Sequence, residues 1–572
     1  MKKTRIAFLF ALSLSLFACN KKSDKAKTTT EKTTTRIITT ENQVYHDAYF
    51  YNYDSTLLKT VKTLDGSTPV YDGEIPKKSC ELLGCQAKFV GWTPSLSPIN
   101  GDKSYYATFD GYEPLSEMSN FIFESTETTC IITGIKNKTI KEIIVPDYVT
   151  EISLGAFSGC YNVETIQLPF VGDKMHEADD LYQYTLGYIF GKEKYNYASE
   201  TEQYYYADST TTMSKETYYI PYSLENVIVT KSNIIPCGSF YNCYSLKSIK
   251  YPDTLTYIGR QAFLRCDMIE EIVIPKTVTN ELNQPFFGCS ALENVYFNGA
   301  IKDWFNMSFG NVHYSGCNPL DASSKSKFYY LDNNGSVEHE GKKYSLLTEL
   351  VIPQEVTKIQ PQVFTGFDCL ESVEIHKDVT ESGSFAFYDC KNLSTVYYNG
   401  TIINWGNFTI RDRYASPMLN ASYFYIKDND GDILHNGNKY SLLTELTTSK
   451  PFDNKFFHFI SLKKATITSE SGINYIGNNT FGGCSNLEEV YILNTNISNG
   501  SIMSGAFSGC NKLSKIYVKM SKAQWEHIYF YDGIEAFDNI DIYYYSETEP
   551  IDTDNYYWHY DSNNEIVVWS SE

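Results

Sequence analysis

The residues best suited to chemistry in this sequence are cysteines and clustered acids. Fourteen Cys and nine His are spread over 572 residues. Seven cysteines close a Phe-x-x-Cys string, at Phe157/Cys160, Phe240/Cys243, Phe263/Cys266, Phe286/Cys289, Phe387/Cys390, Phe481/Cys484 and Phe507/Cys510. Such regular recurrence argues for one equivalent interior slot, where a thiol serves as a small hydrophobe, over disulfides or a metal centre. Cys19 stands apart at the end of an apolar run, and Cys80, Cys85, Cys130, Cys237, Cys317 and Cys369 carry no assigned pairing. Asp428-Asn429-Asp430-Gly431-Asp432 has the oxygen density of a calcium loop, but its duplicate reads Asp332-Asn333-Asn334-Gly335-Ser336. A hairpin turn built on Asn/Asp-Gly explains both copies, so no metal is assigned. No His-Glu-x-x-His, Gly-x-Ser-x-Gly, phosphate-binding loop or dinucleotide fingerprint occurs, so no catalytic residue or cofactor is assigned. Carboxylate pairs depend on folded distance, which leaves a glycan or protein hydrolase as the alternative reading.

Those cysteines belong to a larger unit. Each Phe is followed six residues on by an aliphatic residue and then by Ile or Val at nine, giving Leu-x-x-Ile-x-Ile, often closed by Pro as at Pro169, Pro252 and Pro275. Two further units fit if Phe367 and Phe459 take the Cys place. Uninterrupted copies are 23 residues apart (240, 263, 286), a spacing within the range of roughly 20–29 for a strand-and-turn solenoid. Ile-x-Ile alternation predicts short parallel strands, with Phe and Cys filling the opposite wall of a shared core. The residue between the last two inward positions then forms an exposed column: Gln167, Lys250, Val273, Tyr296, Glu374, Tyr397, Thr466, Tyr491 and Tyr517. Tyrosine contributes rigid area and one polar handle, so Tyr296, Tyr397, Tyr491 and Tyr517 are the candidate binding residues, with cross-strand stacking as the bland alternative.

The interruptions are themselves duplicated. Phe297 to Trp304 mirrors Tyr398 to Trp405, with a weaker third copy at Val518 to Trp525, and Lys343 to Leu350 returns as Lys439 to Leu446. Ahead of the array, strand signals at Ala48–Tyr51, Thr68–Tyr71, Phe89–Trp92 and Tyr105–Phe109 predict a small sheet module with an insertion carrying Cys80 and Cys85.

A chain of this length needs several domains or a repetitive architecture. Its net charge of −21 and its sequence pI near 5.0 argue against nucleic-acid partners. Lys2, Lys3 and Arg5 precede the apolar run Ile6–Phe17, too short to span a bilayer, which reads as an export signal. The run ends in Leu16-Phe17-Ala18-Cys19, which resembles the lipobox of bacterial lipoproteins; that resemblance implies lipid attachment at Cys19. Residues 44–112 resemble the B-repeat of internalin-type and Bacteroides surface proteins, through Phe-x-Gly-Trp and Tyr-x-Ala-x-Phe. The long unit, clearest at Leu246 to Cys266, resembles BspA-like leucine-rich repeats of bacterial surface proteins. The expected organisation is a signal (1–18), a Lys/Thr/Ser-rich tether (19–43), a β-grasp-like module (44–112), the repeat array with β-rich insertions (113–545) and an aromatic cap (546–572). The fold class is mainly β, a leucine-rich-repeat solenoid. The resemblance implies a lipid-anchored, non-enzymatic cell-surface protein that adheres to host matrix, mucosa or other cells through a surface protein or glycan; a purely structural spacer is the other alternative.

Overall fold

The computed structural model describes residues 43–177, 184–205, 213–310, 316–468, 472–532, 537–551 and 554–569. Cys19 and the signal and tether segments lie outside them, apart from Gln43. The chain divides into two compact units. One holds the described residues up to Pro76 with Phe89–Phe109; the other holds Lys77–Lys88 and the chain from Asp110 onward.

The smaller unit is a four-stranded sheet in the order Leu57–Leu64, Tyr45–Tyr51, Lys103–Pro114, Cys85–Thr93. In Tyr45–Tyr51 the alternation buries Ala48 and Phe50 and turns Tyr49 and Tyr51 away from that core. Phe50 meets the Trp92 ring edge-on at 4.7 Å and stacks on Tyr105 at 5.3 Å. Thr68–Tyr71 is not a strand, contrary to its apolar pattern, and Leu57–Leu64 takes its place in the sheet. Pro69 has no amide hydrogen to give a ladder; Tyr71 still reaches the core, 4.8 Å from Trp92. The insertion with Cys80 and Cys85 clusters with the array: Leu83 N donates to Thr126 O, and Gly84 lies against Met118, Tyr148 and Cys130. None of the thirteen cysteines among the described residues is in a disulfide.

The larger unit is a solenoid with two parallel ladders and an aromatic wall. The main ladder runs through Glu142–Ile144, Thr165–Leu168, Asn226–Val229 and Ser248–Lys250, then through sheets of five, six and seven strands that begin at Glu271, Glu349 and Glu445. Short second strands pair separately, for example Lys358–Ile359 with Glu381–Ser382 and Thr409–Ile410. On the far wall the Phe rings stack: Phe240 on Phe263 and Phe263 on Phe286 at 5.6 Å, Phe364 on Phe387 and Phe456 on Phe481 at 5.5 Å. Backbone bonds follow the same steps, as Phe240 N to Ala262 O (2.7 Å) and Phe481 N to Ala506 O (2.9 Å).

The Phe-x-x-Cys turn has a backbone rule that composition hides. The residue before each Cys or its Phe substitute is left-handed in all nine units: Gly159, Asn242, Arg265, Gly288, Gly366, Asp389, His458, Gly483 and Gly509, with φ between 57° and 82°. The residue two before each Phe is left-handed as well, from Gly155 (φ 70°) to Gly505 (φ 70°). Side chains other than Gly, Asn and Asp are disfavoured there, so stacking of successive turns outweighs local preference at Arg265, His458 and Phe385.

The cysteine slot is more than a small apolar site. Five of the seven thiols donate to the carbonyl of the Phe one turn earlier: Cys266 Sγ to Phe240 O (3.2 Å), Cys289 to Phe263 (3.2 Å), Cys390 to Phe364 (3.0 Å), Cys484 to Phe456 (3.2 Å) and Cys510 to Phe481 (3.1 Å). Burial pushes the Cys289 and Cys510 thiols up to about 12. Phe367 and Phe459 stand where the preceding turn is a short helix with a Trp. Phe367 fills the space beside Phe328 (4.9 Å) and Trp304 (6.0 Å), and Phe459 packs likewise beside Phe424 (4.6 Å) and Trp405 (5.9 Å).

Candidate binding surface

The outward column is in register within each sheet. Val273 pairs with Tyr296 and Tyr296 with Tyr329; Val351, Glu374, Tyr397 and Tyr425 follow one another; Thr447, Thr466, Tyr491, Tyr517, Tyr543 and Tyr556 form the longest run. The spacing of Ile-x-Ile identified the row and missed Tyr329, Tyr425, Tyr543 and Tyr556. Those four sit in strands that lack the Phe-x-x-Cys frame.

Exposure departs from the expectation. Tyr296, Tyr491 and Tyr517 are 8%, 8% and 5% exposed, and Tyr397 is half-buried. Two hairpins cover the first pair. Each follows the last parallel strand of its sheet, turns at Asp332 or Asp428, and lays a His over the column. His339 stacks on Tyr296 at 3.9 Å and His435 on Tyr397 at 3.7 Å. The turns match the Asn/Asp-Gly reading: Asp428 Oδ1 accepts from Asp430 N (3.0 Å) and its Oδ2 from Ser441 Oγ (2.8 Å), with the same bonds at Asp332. Among the described residues no His/Cys/Asp/Glu group of three or more is arranged to hold a metal ion.

Beneath the second hairpin lies a buried acid. Glu374 is 5% exposed and accepts from Tyr440 Oη (3.0 Å) and Asn436 Nδ2 (2.9 Å), with His435 Nε2 at 3.3 Å. Burial and then this carboxylate raise the Tyr440 hydroxyl far above the usual phenol range. Its sequence neighbours gave no such signal, because the partners come from 62 and 66 residues away.

At the C-terminal end the rings shield one another. Tyr491 stacks on Tyr517 at 4.4 Å with 2° between planes, Tyr517 on Tyr543 at 4.5 Å, and Tyr543 on Tyr556 at 4.9 Å. The Lys464 ammonium lies over Tyr491 at 4.5 Å. Burial, then the Glu489 charge, push the Tyr517 hydroxyl up to about 12. Trp558, fully buried, donates from Nε1 to Val518 O at 3.1 Å and closes this outer cluster. The aromatic tail therefore extends the sheet: Tyr556–Tyr560 pairs parallel with Asp541–Tyr545, and Ile566–Val568 pairs with it in turn. Exposed positions of the column are Lys250, as expected, and Ile144 (49%), Val351 (45%), Thr447 and Tyr556 (50%).

Parallel strands of one register, a stacked Phe wall and repeated turns define a leucine-rich-repeat solenoid. The profile "BspA type Leucine rich repeat region" matches in six copies over residues 134–177, 211–326, 340–422 and 442–543. The chain belongs to this family, a repeat architecture rather than an enzyme family. Similar solved structures include a leucine rich cell surface protein from Faecalibacterium prausnitzii A2-165 (20% identity over 72% of this chain and 96% of that one, TM-score 0.26). Another is a leucine-rich repeat protein from Bacteroides ovatus (16% identity, 74% and 98% covered, TM-score 0.30). The pneumococcal vaccine antigen PcpA is a third (13% identity, 84% and 94% covered, TM-score 0.29). A search of curated proteins finds no match. Among the described residues no helix is long and apolar enough to cross a membrane.

Proposed function

We propose that the protein is a bacterial cell-surface adhesin, held to the membrane by lipid on Cys19, whose repeat array binds a protein or glycan of host matrix, mucosa or neighbouring cells. Membership of the BspA-type family supports a binding role at the cell surface. The observation that carries it is the in-register outward ladder, in which strands about 4.8 Å apart hold successive side chains in fixed rows. Contact then falls on the uncovered positions, Ile144 and Val351 among them, with Tyr491 and Tyr517 contributing ring edges.

The test is retention of the full-length protein, purified in detergent, on immobilised matrix proteins, mucin and intact cells. Retention that falls on changing Ile144 and Val351 to Asp supports the reading. No retention on any of these surfaces, with concentration-dependent self-association instead, would favour the structural-spacer alternative. The anchor has its own test: a clickable palmitate analogue fed to producing cells should label the native protein and leave the Cys19→Ala variant unlabelled.

A further inference from the structure

The two duplicated modules differ in chemistry around one cleft. A cleft of about 660 Å³ opens in the second module where the strands Ser372–His376 and Thr395–Asn399 end against the helix Ile402–Asn407 and the Asp428 turn. Every residue that lines it is polar or glycine. Among the positions that differ here from the first module, His376, Asp378, Tyr398, Thr401 and Lys427 replace Pro275, Thr277, Phe297, Ala300 and Leu331. In the first module the region is bridged. Lys342 Nζ meets Asp253 Oδ2 at 2.6 Å, and Asn298 Nδ2 donates to the same carboxylate at 2.6 Å. Their counterparts are Asn438, Gln354 and Asn399; Gln354, whose Nε2 donates to Asp378 Oδ2 at 2.7 Å, and Asn399 line the cleft, and Asn438 brings no ammonium to it.

A second difference between the modules lies in the core beneath this cleft. Tyr398 is fully buried and its hydroxyl has no hydrogen-bond partner among the described residues, whereas Phe297 brings no oxygen there. Gly400, which lines the cleft, lies directly over the hydroxyl end of that ring: a Cβ at Gly400 would come 2.8 Å from Tyr398 Cε1 and 3.0 Å from Cζ. Buried hydroxyls without a partner are uncommon because each forfeits a bond it makes in water.

The lining limits the occupant. A lipid or an apolar peptide side chain needs apolar walls, which this cleft lacks. Lys377 and Lys427 stand with Asp378, Asp428 and Asp430, so a ligand of one charge meets repulsion from half of the rim. Groups that donate and accept at once suit such a rim, and hydroxyls do both. We propose that this cleft is a binding site for a neutral oligosaccharide, acquired by the second module after duplication. The proposal rests on the adhesive role above and gives it a ligand class at a defined site.

The experiment uses full-length protein on a printed array of neutral and sialylated oligosaccharides, with calorimetric titration of the strongest neutral hit. Three variants accompany it: Asp378→Ala with Lys427→Ala, the closing pair Asn438→Lys with Gln354→Asp, and Lys342→Asn in the first module. The expected result is binding of a neutral sugar that weakens at least about tenfold, roughly the loss of one or two hydrogen bonds, in the first two variants and not in the third. Because the closing pair copies an arrangement the fold already contains, its loss of binding cannot be put down to misfolding. Absence of neutral-sugar binding at millimolar concentration, preference for sialylated probes, or equal affinity in all variants overturns the proposal. Adhesion to matrix and cells is measured on the same samples: adhesion without sugar binding refutes the cleft alone, and loss of both refutes the adhesive role.

Discussion

Lys455 offers the sharpest test of how the interrupted repeats are packed. Its side chain is 3% exposed, its ammonium donates to the Phe408 carbonyl, and its own carbonyl accepts from Trp405 Nε1 at 3.0 Å. Val363 holds the matching place in the first module, where Trp304 Nε1 donates to its carbonyl at 2.8 Å. Burial, helped by the Lys450 charge, pulls the Lys455 ammonium from 10.5 down to about 8. At about 1.4 kcal/mol per pH unit this corresponds to about 3 kcal/mol. The sign follows from proton counts. Below about pH 8 the group is charged in both states and the fold bears the cost of a buried charge. Between about pH 8 and 10.5 the unfolded chain holds a proton that the folded chain has lost, so stability rises with pH over that window. Lys455→Met removes the charge and forfeits one hydrogen bond of about 1 kcal/mol, so a net gain of about 2 kcal/mol is expected near pH 7. That gain should shrink to nothing or reverse near pH 10.5. Guanidinium melts by far-UV circular dichroism at several pH values measure the difference, and hydrogen exchange over residues 456–467 localises it. A difference that stays constant with pH, or a variant less stable at pH 7, would refute a buried ammonium at this position.

Three further outcomes are expected. Gly483→Ala places a side chain on left-handed backbone (φ 77°) and 2.9 Å from His458 Cδ2; a loss of about 1–2 kcal/mol is expected in the same melts, and an unchanged midpoint would contradict the turn geometry. Cys266→Phe should cost about 3 kcal/mol or more by overpacking, although Phe occupies that slot at Phe367 and Phe459, because stacked Phe240 and Phe263 leave no room; wild-type stability would show that the slot is not set by the preceding turn. The buried tyrosines predict alkaline unfolding: Tyr344, Tyr517 and Tyr544 are pushed up to about 12, so the stability they confer is complete below about pH 10 and is lost as pH rises through 12. Tyrosinate absorbance should rise together with loss of circular dichroism, and ionisation of these rings in an intact fold would count against their burial.

The parts of the fold legible in the sequence are those fixed by short, repeated spacing. Phe, Cys, Leu, Ile and Ile recur at constant intervals, so the strand ladder, the inward slots and the register of the outward column follow from counting. Turn conformation was hidden because Gly, Asn, Asp, His and Arg all occupy the left-handed position before the Cys slot, and no residue type marks it. The thiol bonds to Phe240, Phe263 and Phe364 were hidden for another reason. An inward Cys reads as apolar, and its acceptor lies 26 residues earlier in each case. Exposure of the column failed most plainly, since His339 and His435 arrive from hairpins whose own alternation does not reveal which surface they cover.

Those hairpins also explain where a ligand can act. In each of the two sheets they close, the hairpin follows the last parallel strand and doubles back over the Tyr of the strand before it, Tyr296 or Tyr397. A long uninterrupted face would let one partner slide along equivalent rows; closing each module breaks that equivalence and leaves places that are chemically distinct. Duplication then frees one copy to change while the other keeps the packing. The core partners stay alike, Trp304 beside Phe328 and Phe367, Trp405 beside Phe424 and Phe459. Change falls at the strand ends, where Lys342 and Asp253 bridge one module and Asn438 and Gln354 stand in the other, and within the row, where Glu374 replaces Val273. Specificity in such an array resides where the copies differ without loss to the shared core.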